Sequence, residues 1–292
     1  MAMLKASRRV KLFTVLPALL FLVLLSVLPL ANLLALSFAK VTWAEGSATW
    51  TWEGLANYRA LAEDALFKAG IVNTLILVVS ATTLQVGLGL GLALICSRLG
   101  RSAKAYRTLF LLPILVPGII IGAIWKLMYN TQFGVINQLL GLVGLGPFDW
   151  LGSSTLALAS VIAVDVWHWT PFSFLLLLAA VEALPRDVFE AAQIDGAGSW
   201  RTFRRIVLPL LWPAIFTTFV FRAIIAFKVF DEVYLLTGGG PGTSTQVISF
   251  TIYQRFFVQD SAGYGAAMSI FVMFLVALVI GVAMTSQKAR SR

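Results

Sequence analysis

"EAAQIDGAGSWRTFRRIVLPLL", residues 190–211, is a charged segment that lies between two long apolar stretches. Pro185 and Asp187 mark the start of a short helix, because proline suits a first helical turn and an acidic side chain suits a helix N-terminus. Gly196 ends that helix, and a second helix begins after Ser199. The segment therefore predicts a slim helix with acidic side chains, held outside the apolar part of the chain.

The apolar stretches on either side have the length of membrane spans. The chain has 292 residues, of which 59% are hydrophobic and 12% are charged, about half the charged fraction of an ordinary soluble domain. Runs of about 20 apolar residues cross a bilayer as helices. The sequence therefore predicts one all-α membrane domain over residues 1–292, with a cytoplasmic loop at 182–209 and six spans at about 12–38, 70–97, 107–129, 154–181, 210–236 and 262–286.

The distribution of basic residues predicts the orientation of these spans. With the N-terminus inside, 15 of the 22 Lys and Arg residues fall in inside segments, five in outside segments and two within a span. Because Lys and Arg concentrate in cytoplasmic loops, both termini and residues 190–211 are predicted to be cytoplasmic. The first apolar run is too long for a signal peptide and has no small-residue cleavage site, which predicts an uncleaved span. The single cysteine, Cys96, is predicted to be a packing residue.

The spacing within the charged loop resembles the EAA motif of the permeases of binding-protein-dependent ABC importers. Glu190-Ala191-Ala192 is followed by Gly196, Ile206 and Leu208-Pro209 at the intervals of that motif. Four further segments, NYRAL, NTLILV, LPILVP and FDEVYLLTGGGPGTST, resemble the maltose-type sugar permeases, and the TGGGP version is similar to the larger subunit of the pair. The chain is identified as a member of this family from about residue 57 to its C-terminus.

This resemblance implies a maltose-type ABC importer permease fold in the bacterial cytoplasmic (inner) membrane. It implies a role as half of the ATP-driven translocation pathway for a carbohydrate or related polyhydroxylated solute. The partners that it implies are a second EAA-bearing permease in a heterodimer, two ABC ATPase subunits, membrane lipid, and a periplasmic or lipid-anchored solute-binding protein, with no nucleic acid. The implied contact residues are Glu190, Ala191, Ala192, Asp195 and Gly196 for the ATPase, and Gly238, Gly239, Gly240 and Pro241 for the binding protein.

Catalytic activity is not expected of this chain. No G-x-x-x-x-G-K-[ST] phosphate loop occurs in the sequence, so ATP and Mg are expected on the partner ATPases. No catalytic residue, metal site or bound cofactor is predicted. The alternative class is an ion-coupled secondary transporter, in which internal repeats are common; no repeat is evident in this sequence.

Charged residues within the fourth and fifth predicted spans indicate a solute site, because charge at membrane depth usually faces a cavity or a partner. At about 1.5 Å per residue, Asp165 lies ~24 Å above the inner end of its span, and Arg222 and Lys228 lie ~18 Å and ~27 Å above theirs. The three side chains can therefore share one layer. The resemblance to the maltose-type permeases makes the candidate substrate-pathway residues Asp165, Trp169, Phe172, Arg222, Ala226 and Val229.

Two arrangements of Arg222 stay open at this point. If Arg222 pairs with Asp165, a neutral solute can hydrogen-bond to the pair; if it does not, an anionic solute becomes its counter-ion. Lys228 is predicted to pair locally with Asp231 or Glu232, and His168 is predicted to be a packed, hydrogen-bonded residue. Monosaccharide, disaccharide, polyol, glycosyl glycerol and glycerol phosphate all remain candidate solutes.

Overall fold

The computed structural model describes the backbone of residues 8–44, 46–99 and 103–290. The described chain consists of helices and one two-stranded hairpin. The strands are β1 (Ala39–Ala44) and β2 (Ser47–Trp52). The helices are α1 (Arg8–Ser37), α2 (Ala56–Leu61), α3 (Ala65–Cys96), α4 (Ala103–Leu111), α5 (Gly118–Met128), α6 (Val135–Gly141), α7 (Ala157–Glu182), α8 (Arg186–Ile194), α9 (Ser199–Thr202), α10 (Leu208–Ala226), α11 (Asp231–Leu236), α12 (Ile248–Tyr253) and α13 (Ala262–Arg290).

Within the described residues, five helical segments are long and apolar enough to cross a membrane. A π-helical turn at Phe203–Val207 joins α9 to α10, so these two helices form one such segment. The chain is therefore a multi-pass membrane protein, as its composition predicted. The five segments are Phe13–Ser37, Ala65–Cys96, Ala157–Glu182, Ser199–Ala226 and Ala262–Val282.

The third predicted span, 107–129, is not a continuous helix. It consists of the end of α4, a 3-10 turn at Pro113–Leu115, and α5, whose 11 residues begin directly after Pro117. Each proline removes a backbone donor and clashes with the preceding turn. Two prolines four residues apart therefore divide this segment into two helices, where the sequence predicted one span.

The fifth predicted span, 210–236, is also divided. Its main helix, α10, ends at Ala226, and residues 227–230 leave the helical path before α11 begins at Asp231. Backbone that leaves a helix at membrane depth has to be satisfied within the protein or by a water-filled cavity. This break is therefore a place to look for a polar site.

The described chain forms two compact units. The terminal unit contains the described residues up to Asp64 together with Ile252–Leu275. In it, β1 pairs antiparallel with β2, and Gly46 adopts a φ of +76° at the turn. The Asn57 side-chain amide of α2 donates to the carbonyl oxygens of Ser37 and Ala39 at 3.0 and 3.1 Å. The hairpin was not predicted from the sequence.

The central unit contains Ala65–Thr251 and the chain from Val276 onward. Its core lies between α3 and α7. These helices pack so closely at Gly89 that a Cβ atom added there would lie 2.8 Å from the backbone nitrogen of Phe174. Small residues permit this approach between helices in a membrane. Cys96 is fully buried here, which confirms its predicted packing role. The buried core residues are Val86, Ala93, Cys96, Phe174, Leu177 and Leu178.

Candidate functional site

A buried ion pair joins α7 to α10 in the central unit. Arg222 Nη2 donates to Asp165 Oδ2 at 2.6 Å, and the two side chains are 0% and 1% exposed. Gln85 on α3 donates to the same carboxylate oxygen at 2.8 Å and to the Asp165 carbonyl oxygen at 2.9 Å. Three helices therefore meet at one polar point, and of the two arrangements that the sequence left open, the Asp165–Arg222 pair is the one observed.

Aromatic rings lie beside this pair. The Arg222 guanidinium carbon lies 4.9 Å from the centre of the Trp169 ring, within the range of a cation–π interaction. Phe172 meets Trp169 edge-on, with ring centres 6.3 Å apart. Trp169 thus lies beside the guanidinium, and Phe172 packs against Trp169.

A second buried contact joins α7 to α11. His168 Nδ1 lies 3.1 Å from Glu232 Oε1, and both side chains are 6% exposed. His168 is therefore hydrogen-bonded within the protein, as predicted, but its partner was not foreseen. Within the central unit's described residues, no ion pair joins Lys228 to Asp231 or Glu232, so the predicted local pair is wrong. The break at 227–230 explains this, because i, i+3 and i, i+4 neighbours exist only along a continuous helix.

The two helix breaks converge on one cavity. Its volume is about 230 Å³, and a Cβ atom on Gly118, at the start of α5, would lie 2.9 Å from Asp231 Oδ2 at the start of α11. The third and fifth predicted spans, both broken, thus meet beside the buried ion pair. The lining residues are Gly118, Asp165, His168, Trp169, Arg222, Ile225, Lys228, Val229, Phe230, Asp231 and Glu232.

The structure brings most of the predicted pathway residues to this cavity. Asp165, Trp169, Arg222 and Val229 line it, whereas Phe172 contacts Trp169 from outside the lining and Ala226 is buried at 1% exposure. Glu232 and His168 also line the cavity, although neither was predicted as a pathway residue. The available signal was the spacing of His168 and Asp165, which lie three residues apart on the same helix face.

Several atoms of the ion pair can form further hydrogen bonds. Asp165 Oδ1 and Arg222 Nε and Nη1 are buried and have no hydrogen-bond partner among the described residues. A buried polar atom without a partner costs free energy, so it is normally satisfied by a water molecule or a ligand. At this site one acceptor and two donors lie together next to an aromatic face, which is the chemistry that a hydroxylated molecule needs.

The charged loop forms the predicted pair of helices, α8 and α9. Gly196 has a φ of +65°, and the Ala197 amide donates to the Ala192 carbonyl oxygen at 2.9 Å, which is the glycine-terminated helix end known as a Schellman motif. Glu190, Asp195 and Gly196 are exposed, whereas Ala192 is 4% exposed. Ala191 lies in α8, and its side chain is outside the part of the chain that the structure describes. The exposed surface of α8 is thus acidic, with Ile194 also 87% exposed.

The glycine-rich segment after α11 forms a compact turn. Gly238 and Gly239 have φ values of +58° and +87°, and the Gly240–Pro241 peptide bond is cis. Gly238 is exposed, Gly240 and Pro241 are partly exposed, and Gly239 is buried. Three of the four residues predicted to contact a binding protein are therefore accessible from outside the chain.

Comparison with known proteins decides the family. Residues 85–291 match the family described as "binding-protein-dependent transport system inner membrane component". The chain belongs to this family. It is 40% identical over 224 residues to the trehalose/maltose transport system permease protein MalF of Thermococcus litoralis, which covers 76% of this chain and 75% of that one. It is also 33% identical over 264 residues to the sulfoquinovosyl glycerol transport system permease protein SmoG of Agrobacterium fabrum, with 90% and 85% of the two chains covered.

Solved structures give the same fold for this permease. A chain of a bacterial ABC transporter involved in the import of the acidic polysaccharide alginate superposes with a TM-score of 0.84 at 24% identity, covering 96% of the permease and 95% of that chain. A chain of the same kind of transporter, solved in complex with an alginate pentasaccharide-bound periplasmic protein, gives a TM-score of 0.80. The predicted ABC importer permease fold is confirmed at this level.

Proposed function

We propose that this permease forms half of the translocation pathway of an ATP-driven importer for a carbohydrate or related polyhydroxylated solute. The observation that carries the proposal is the cavity at which two broken spans meet the Asp165–Arg222 pair. Discontinuous membrane helices expose backbone groups where substrates bind. Relatives named for trehalose/maltose transport and for trehalose transport support a carbohydrate as the solute.

The charges around the cavity favour an uncharged solute. Arg222 is neutralised by Asp165 at 2.6 Å, so it is not an isolated cation that needs an anionic solute as its counter-ion. Of the remaining lining groups, Lys228 carries one positive charge against the carboxyl groups of Asp231 and Glu232. A hydroxyl can accept from Arg222 and donate to Asp165 Oδ1 at the same time, and the neighbouring Trp169 ring offers an apolar face for a sugar ring.

The exposed acidic helix α8 supplies the proposed contact with an ATPase. Glu190, Asp195 and Gly196 face outward at the end of a helix that the Gly196 turn stops abruptly. We place this helix in a groove of a partner ATPase, with Ala191 and Ala192 keeping it slim enough to enter. ATP binding would close two such ATPases and draw two coupling helices together, and the cavity would then open outward to receive solute.

The complete importer would contain a second EAA-bearing permease, two ATPases that bind ATP and Mg, and an external solute-binding protein, in a bacterial inner membrane. This chain would cross the membrane six times, with the third and fifth crossings broken and with both termini cytoplasmic. Family membership makes an ion-coupled secondary transporter the weaker alternative.

Uptake into proteoliposomes tests this function. The chain is reconstituted with its partner ATPase, second permease and binding protein, and the binding protein is first screened against trehalose, maltose, polyols and glycerol 3-phosphate. Uptake of the solute that binds should require ATP and the binding protein. Uptake that an ion gradient drives without ATP would support the secondary transporter instead.

Gly196→Pro tests the coupling role of α8. Proline cannot adopt a φ of +65°, so the change disrupts the end of this helix, and it lies outside the membrane spans. The variant should insert and assemble but lose solute-stimulated ATP hydrolysis. Full stimulation in this variant would remove α8 from the coupling role.

A further inference from the structure

The turn after α11, residues 237–247, is held in one shape by its own side chains. Thr245 Oγ1 lies 2.7 Å from both the Thr237 hydroxyl and the Gly240 carbonyl oxygen. A Cβ atom on Gly239 would collide with the Gln246 side chain and lie 3.0 Å from the Phe250 ring. These contacts fix the internal shape of the turn. The position of the turn relative to the helices therefore depends on the residues that attach it to them.

Asn73 on α3 holds this turn from the side. Its side-chain amide donates to the carbonyl oxygens of Thr243 and Gln246 at 2.8 and 2.9 Å, and these bonds join positions about 170 residues apart in sequence. The next residue, Thr74, accepts a hydrogen bond from the Ile248 amide at 2.9 Å. One turn of α3 therefore satisfies three backbone groups of the segment 243–248.

The other end of the same segment reaches the cavity. Ser249, at the start of α12, donates its hydroxyl hydrogen to the Val229 carbonyl oxygen. Val229 lies in the break between α10 and α11 and lines the cavity. A hydrogen-bonded path thus runs from Asn73 through the turn to a backbone carbonyl of the cavity wall, entirely within the central unit.

We propose that Asn73 and Ser249 are positioning residues for the engagement of the external binding protein, an inference that rests on the function proposed above. Asn73 presents the exposed turn in the shape that the binding protein contacts. Ser249 ties that turn to the break in the fifth span, so that engagement outside moves the cavity wall. Neither residue lines the cavity, and each acts through backbone carbonyl groups that it holds.

The test measures ATP hydrolysis by the reconstituted complex against the concentration of its binding protein. Asn73→Asp keeps the size of the side chain but points a carboxylate at two carbonyl oxygens. We expect the half-maximal binding-protein concentration to rise about fivefold to thirtyfold, the change that one or two lost hydrogen bonds produce. Ser249→Ala should leave that concentration unchanged and lower the maximal stimulated rate.

Ser80→Ala is the matched control, because within the described part of the chain the Ser80 hydroxyl bonds only to carbonyl groups of its own helix, α3. This control should match the wild type in both quantities. If Asn73→Asp does not assemble, Asn73→Ala removes the donor without adding a charge and carries the same expectation; failure of both to assemble would make Asn73 a folding residue and overturn its positioning role.

The two parts of the proposal fail separately. An unchanged half-maximal concentration in assembled Asn73 variants overturns the role of Asn73, and an unchanged maximal rate in Ser249→Ala overturns the link to the cavity. A wild-type complex that its binding protein does not stimulate would instead contradict the proposed function itself.

Discussion

Arg222→Gln should destabilise the permease strongly, because it leaves a buried carboxylate without its cation. Asp165 is 1% exposed, and among the described residues it would keep only Gln85 as a side-chain partner. Removing one member of a buried ion pair costs about 3–5 kcal/mol. At about 2–4 °C per kcal/mol for chains of 150–250 residues, this predicts a fall in melting temperature of roughly 6–20 °C.

The second change, Asp165→Asn in the same chain, should restore most of this loss, because a neutral amide has no buried charge to compensate. Thermal unfolding of the purified complex in detergent measures the single variants and the double variant as a double-mutant cycle. Arg107→Gln is the control, since the Arg107–Glu182 pair is 35% and 45% exposed and such pairs contribute about 0–1 kcal/mol. Wild-type stability in Arg222→Gln, or a double variant no more stable than the single one, would refute this reasoning.

Three further predictions concern coupling, packing and orientation. Glu190→Arg should leave the complex assembled but suppress solute-stimulated ATP hydrolysis, since it reverses a charge on the exposed face of α8. Gly89→Ala should force α3 away from α7, destabilise the purified permease by about 1–3 kcal/mol and so lower its melting temperature. Gly87→Ala should leave the melting temperature unchanged, because the added carbon meets nothing within 4 Å. A membrane-impermeant thiol reagent applied to intact cells should label a cysteine at Gly238 but not one at Gly198, and labelling at Gly198 before lysis would reverse the predicted topology. Gly100, a second inside position by the charge count, lies outside the described residues.

The features that sequence predicted well depend on local chemistry. Long apolar runs gave four of the membrane-crossing helices and most of a fifth, and Pro185 and Gly196 bracketed α8. The Asp165–Arg222 pair was within reach of helix geometry alone, because a rise of about 1.5 Å per residue places both side chains at similar depth. Burial of a charge at membrane depth then favours a partner of opposite sign.

The features that sequence missed depend on where the chain leaves a helix. Because the helix breaks at 227–230, Lys228 does not have Asp231 and Glu232 as neighbours on one helix face. Glu232 instead contacts His168, a residue 64 positions away in the sequence. The hairpin at Ala39–Trp52 was missed because tryptophan is common both in β-strands and at a membrane interface. The aromatic residues alone therefore do not distinguish a strand from an interfacial loop. Hydropathy measures length and apolarity, and neither of these records a helix break.

Accessibility of the cavity tests the central claim, that solute passes beside the Asp165–Arg222 pair. Val229→Cys places a thiol in the cavity wall, and Ile124→Cys places one on the outer surface of α5, where Ile124 is 49% exposed. Cys96 is fully buried and adds little background. In the reconstituted complex, a water-soluble thiol reagent should label Val229→Cys, solute should slow that labelling, and Ile124→Cys should remain unlabelled in lipid. A complex that transports solute while Val229→Cys stays unlabelled with and without ATP would contradict the account.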